Sequence, residues 1–104
     1  MPRVVCAGHV NWDVTLRVDE LPEPDGEARL HDRRAGGGGS AANVATALTG
    51  LGVGAAVVGA VGDDDAGERL RAELDERGVD TGGLHTVAGA TSEKYLLVDE
   101  AGRV

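Results

Sequence analysis

Aromatic side chains are almost missing from this chain of 104 residues: Trp12 and Tyr95 are the only two, and there is no phenylalanine. A core must therefore be built from valine, leucine and alanine, which is thin packing material for a small domain. Cysteine is nearly absent too. Cys6 has no partner in the sequence, which excludes an internal disulfide and suits a reducing compartment. Of the ten Lys and Arg residues only Lys94 is a lysine, and 18 Asp and Glu bring the formal net charge to −8. Such a surface disfavours nucleic acid and anionic membranes, because phosphate binding needs clustered cations. A plain solvated surface accounts for the acidity, and so does the Asp and Glu excess of a salt-adapted organism. No run approaches the roughly 20 apolar residues of a membrane-spanning helix. The N-terminus has no apolar core followed by a small-residue cleavage site, so the expected location is the cytoplasm. The length fits one small domain and not two.

Glycine is what the chain has in quantity: 17 in all, four of them consecutive at Gly36 to Gly39. Fixing glycine loses the most backbone entropy, so this run is expected to be a loop where the backbone turns sharply or a ligand comes close. A helix is expected to start at once. Ser40 serves as its N-cap, residues 41, 44, 45, 48 and 51 form an apolar face, and Gly52 follows the end. Asn43 lies in the first turn, off that face. Gly38, Gly39, Ser40 and Asn43 together offer free N–H donors and one amide, suited to polar or anionic ligand atoms.

Upstream, Val4 to Gly8 is a short apolar run that predicts a strand buried on both faces. It leads into Asn11-Trp12-Asp13. If that segment is extended, Asn11 and Asp13 share one face just past a strand's C-terminal end, where ligands of open α/β sheets collect. An amide beside a carboxylate suits sugar hydroxyls; an Asx turn closing the strand is the other explanation. Trp12 is assigned to the core. Val14 to Asp19 alternates like a half-buried strand, Leu21 to Glu27 is a turn, and Ala28 to Arg34 predicts a weak polar strand. Ala55 to Val61 predicts a second buried parallel strand, so strand, helix and strand suggest a right-handed crossover. A helix is expected from about Ala66 to Arg77 with Leu70 and Leu74 inside. The run Asp63-Asp64-Asp65 before it is assigned to capping and dipole compensation in preference to a metal site. Gly78 to Gly83 is expected to be a loop, Leu84 to Val87 a short strand, and Thr91 to Asp99 a strand turning at Glu100 to Gly102.

Several chemistries fail on context. Gly37-x-Gly39-x-x-Ala42 follows the polar His31-Asp32-Arg33-Arg34 and not a hydrophobic strand, as a dinucleotide fingerprint would require. There is no Gly-Lys-Ser/Thr phosphate loop and no nucleophile elbow. Cys6, His9, His31 and His85 lack metal-ligand spacing.

The stretch Gly38-Gly39-Ser40-Ala41-Ala42-Asn43-Val44-Ala45 resembles the N-terminal signature of the ribokinase-like (PfkB) carbohydrate kinases. Asn11-x-Asp13, the proline-rich turn with Gly26-Glu27, and Gly62-Asp63-Asp64 stand in the same order as that family's landmarks. The resemblance implies a doubly wound, Rossmann-like α/β sheet with a small β lid, here as the N-terminal part of a kinase domain over residues 1–104. Lid segments are expected at about 14–34 and 91–104. It implies transfer of the ATP γ-phosphoryl group to a sugar hydroxyl, with ATP and Mg2+ as cofactors and a homodimer formed through the lid. It implies that Asn11 and Asp13 hold sugar hydroxyls, that Gly38, Gly39 and Ser40 give close contacts, and that Asn43 adds an amide. Lys94 is expected near the sugar pocket, where a cation favours an acidic or phosphorylated sugar; a solvated strand lysine is the plainer alternative. Ribose-using members commonly carry lysine in the slot of Ser40, and this chain departs from that. The family's catalytic aspartate sits in a Gly-Ala-Gly-Asp helix start that these residues do not contain. No catalytic residue is therefore expected among them, the ATP contacts are expected beyond them, and the 104 residues alone are expected to be inactive. A nucleoside kinase of the same fold, or a non-catalytic sugar-binding or dimerisation module, are the alternatives.

Overall fold

A computed structural model describes residues 2–104. The chain runs β1 (Val4–Ala7), β2 (Asn11–Val18), β3 (Leu30–Gly38), α1 (Ser40–Gly50), β4 (Ala55–Gly62), α2 (Asp65–Glu76), β5 (Asp80–Val87) and β6 (Glu93–Val98). Two three-stranded sheets result, one ordered β1-β4-β5 and one β3-β2-β6. All pairs in the first are parallel, and β4, α2 and β5 form a β-α-β unit. In the second, β2 pairs antiparallel with β3 and parallel with β6. An α/β fold with a parallel sheet and a separate small sheet is thus present.

The core joins the two sheets through the helices. Val57, Ala45 and Leu70 are fully buried, and Trp12, Val14, Leu74, Val79 and Leu84 complete the cluster. Trp12 lies inside, as its position between two polar neighbours implies. Helix α2 forms as its sequence dictates. Asp64 caps it by accepting the Gly67 N–H at 2.9 Å, Asp65 and Glu68 lie in the first turn, and Gly78 ends it with φ 82°. Leu70 and Leu74 are its buried side, one turn apart.

Five expectations need correcting. Gly36, Gly37 and Gly38 are not a loop but the last residues of β3, held in register by β2. Ser40 is not the N-cap. Gly39 occupies that position without a side-chain bond, and Ser40 is the first helical residue. The buried face of α1 is Ala41, Ala42 and Ala45 with Leu48 partly covered, while Val44 and Leu51 are 51% and 80% exposed. Small alanines let the helix approach the β1-β4 surface closely, and that contact decides which side turns inward. Finally, β1 is not buried on both faces: Val5 is 60% exposed, because β1 is an edge strand paired only with β4. Strand β5 also starts earlier than expected, at Asp80, because its first residues pair with β4.

Candidate functional site

Asn11 and Asp13 sit at the start of β2, on the face opposite the buried Trp12 and Val14. Their register partners on β3 are Gly38 and Gly36, and Lys94 on β6 lies beside Asp13. The Asp13 carboxylate leans over Gly38 so closely that a Cβ there would collide with it. Glycine at this position is what makes room for the acid. Its Oδ1 is buried and has no hydrogen-bond partner among the described residues. A buried carboxylate oxygen left unpaired is costly, which marks it as an acceptor for donors brought from outside the chain.

Gly39 forms the joint between sheet and helix. Its φ is 96°, and a Cβ there would strike the His9 carbonyl. The same carbonyl accepts the Ala41 N–H at 3.1 Å, so the first turn of α1 is pinned to the loop between β1 and β2. The Ser40 hydroxyl lies on that side as well, 3.6 Å from where a Cβ on Gly8 would be. Asn11, Asp13, Gly38, Gly39 and Ser40 are therefore one neighbourhood, where β2, the end of β3 and the start of α1 converge.

Asn43 lies in the first turn of α1. It is exposed and lines a cleft of about 220 Å³ with Gly37, Thr46, Glu73 and Arg77, which neither Asn11 nor Asp13 borders. Lys94 is exposed and makes no ion pair among the described residues.

Two residues that the sequence did not single out tie elements together, and one of them holds the glycine strand. Both carboxylate oxygens of Glu73 accept the Gly37 N–H at 3.1 Å, and Arg77 approaches Oε1 at 3.5 Å. Helix α2 thereby grips the outer edge of the glycine strand. The signal was faint: an acid between the buried Leu70 and Leu74, indistinguishable in sequence from a solvated one. Thr91 is the other, 4% exposed, with its hydroxyl donating to Asp64 and accepting the Gly62 N–H at 2.9 Å. Asp64 also accepts the Thr91 N–H at 2.8 Å. The Thr91 hydroxyl, then the N–H groups of Thr91 and Gly67, hold the Asp64 carboxyl below the ordinary carboxylate value. Asp63 accepts the Gly89 N–H at 3.1 Å. The aspartate run thus caps a helix and ties down a loop, and no cluster of metal-ligating side chains occurs among the described residues.

A parallel α/β sheet, a second small sheet, and a glycine strand entering a helix beside an Asn-x-Asp define a class. The chain matches the pfkB family carbohydrate kinases over residues 1–104 and belongs to that family. It is 61% identical to an ATP-dependent ribose-1-phosphate kinase of Halopiger xanaduensis, over all of this chain and 36% of that protein. A nucleoside kinase of Methanothermobacter thermautotrophicus is 33% identical over 92% of this chain and 31% of its own length. The crystal structure of a Thermotoga maritima ribokinase superposes with a TM-score of 0.88 at 25% identity, covering 99% of this chain and 34% of that one. The chain therefore spans about a third of the length of the relatives it matches.

Proposed function

We propose that these residues supply the sugar-binding part of an ATP-dependent kinase whose acceptor is a pentose already phosphorylated, ribose 1-phosphate. The observation that carries this is the Asp13 carboxylate, seated over Gly38 with one buried oxygen unpaired. An acceptor without a donor, at the family's sugar position, suits a substrate rich in hydroxyl groups. The 61% identical relative supplies the particular sugar. A cation at Lys94, beside Asp13 in register, agrees with a substrate that carries an anion.

In this proposal Asn11 and Asp13 orient hydroxyl groups, Gly38, Gly39 and Ser40 allow close approach, and Asn43 contributes from the helix. Residues 14–34 and 91–104 form a lid and a surface through which two copies pair, and the protein works in the cytoplasm. ATP with Mg2+ supplies the phosphoryl group, and phosphoryl transfer rests on positioning and charge stabilisation. These residues are assigned to binding and orienting the sugar. The 104 residues by themselves release no ADP.

The test is acceptor-dependent ADP release by the intact protein with ribose 1-phosphate, ribose, fructose and adenosine. Ribose 1-phosphate should have the highest kcat/KM. A preference for adenosine would transfer the same fold to nucleosides, a reading favoured by the second relative. Sugar binding with no ADP release from any acceptor would defeat both.

A further inference from the structure

We infer that Arg34 and Arg17 form the subsite for the phosphate that the sugar already carries; this rests on the ribose 1-phosphate reading above. The argument begins with the register of the small sheet. Asp13 pairs with Gly36, Thr15 with Arg34, and Arg17 with Asp32, so alternation puts Asp13, Thr15, Arg17, Arg34 and Asp32 on one face. Thr15, Arg17, Asp32, Arg34 and Val98 enclose a concavity of about 270 Å³ on that face. Directly across from Asp13, and next to Arg34 on the same face of β3, lies Gly36. A Cβ on Gly36 would meet nothing nearer than the Glu73 carboxylate at 3.9 Å, so the ground between acid and arginines is open. Arg34 is two residues along β3 from the partner of Asp13, a spacing of about 7 Å in an extended strand.

The charges also single out this patch. The chain as a whole is strongly acidic, yet two arginines face one aspartate here, with Lys94 beside Asp13. Arg34 uses only its Nε on Asp32, at 3.1 Å, and its side chain is 82% exposed. The terminal nitrogens of its guanidinium remain available among the described residues. A guanidinium offers a planar pair of donors that matches two phosphate oxygens, which a lone lysine does not. A sugar whose hydroxyls rest on Asn11 and Asp13 would extend its anomeric phosphate across Gly36 to these arginines. Asp32 then sets the orientation of Arg34 and competes with the substrate for it.

The experiment compares Arg34→Gln, Arg17→Gln and Asp32→Asn with the unaltered intact protein, reading KM, kcat and equilibrium binding for ribose 1-phosphate and for ribose. Losing one charged hydrogen-bonding partner should raise KM and Kd for ribose 1-phosphate about tenfold or more. The constants for ribose should stay put, and Asp32→Asn should tighten ribose 1-phosphate. An unchanged KM for ribose 1-phosphate in both arginine variants overturns the subsite, and so does an equal loss for both sugars. If Arg34→Gln does not fold, Arg17→Gln and Asp32→Asn decide on the same terms. Failure of the unaltered protein to bind or turn over ribose 1-phosphate, while it uses another acceptor, is a separate result that removes the parent reading and the subsite with it.

Discussion

Asp13 is the residue whose surroundings leave it without a partner, and the proposed sugar contact rests on it. Its carboxylate lies against Gly38, and its buried oxygen receives no donor among the described residues. Asp13→Asn preserves the shape and removes the charge. It is expected to lower kcat/KM for the sugar by about tenfold to a hundredfold, the range for a hydrogen bond to a charged group. The melting temperature should hold or rise, because an unpaired buried charge has been removed. Kinetics and a thermal melt on one preparation check this, and near-normal kcat/KM would end Asp13's role. Gly38→Ala attacks the same pair from the backbone side and should match the kinetic loss. Asp64 gives a pH test of a different kind. Its carboxyl is held below the ordinary value, so its stabilisation is complete above the unfolded value of about 4 and lost as pH falls through the folded one. Asp64→Asn should therefore melt lower than the unaltered protein at pH 7, and the gap should close in strong acid. A gap that persists unchanged at low pH would mean the charge is not what matters.

At the level of elements, α2 holds the glycine strand in place. Glu73 grips the Gly37 N–H, and Leu70 packs 3.1 Å from where a Cβ on Gly37 would be. Glu73→Ala releases the edge of β3 while leaving Asn11 and Asp13 intact. The sugar KM is expected to rise several-fold, with kcat changed less and ATP KM unmoved; Glu73→Gln, which keeps one acceptor oxygen, should recover part of the loss. Equal effects on both substrates would indicate general loosening of the fold. These elements also mark what the sequence can and cannot disclose. Helix α2 was legible because Asp64, Leu70, Leu74 and Gly78 are local signals that agree with one another. The pairing of Asn11 and Asp13 on one face was legible because alternation is local too. Glycines at 36 to 38 read as a loop, since glycine's propensity opposes strands. They are a strand because β2 pairs with them, and side chains at 37 and 38 would crowd Leu70 or collide with Asp13. The inward face of α1 and the grip of Glu73 are likewise set by contacts distant in sequence.

Across the whole molecule, apolar surface lies where it has no cover. Strands β1 and β5 are each paired on one side only. Val5 is 60% exposed, Val44 51%, Leu51 80% and Val87 49%. Unpaired strand edges beside apolar side chains are templates for association. The core between them has one large, fully buried leucine, Leu70, and is otherwise mostly valine and alanine. Two expectations follow for residues 1–104 prepared alone. They should self-associate at micromolar concentration, read as a concentration-dependent rise in sedimentation-average mass. Leu70→Ala, which removes the leucine bridging α2 to the glycine strand, should cost about 2–5 kcal/mol and leave little cooperative melting. The small sheet can also pair copies, and β5 can do so by edge addition. Charged substitutions separate the two: Val87→Lys would block association through the β5 edge, and Tyr95→Lys would block it through β6. Relief by Val87→Lys alone would locate the contact on the parallel sheet and leave the proposed lid dimer without support. Relief by Tyr95→Lys alone would favour that dimer, and a sharp monomer without either change would refute the reading of these edges as exposed.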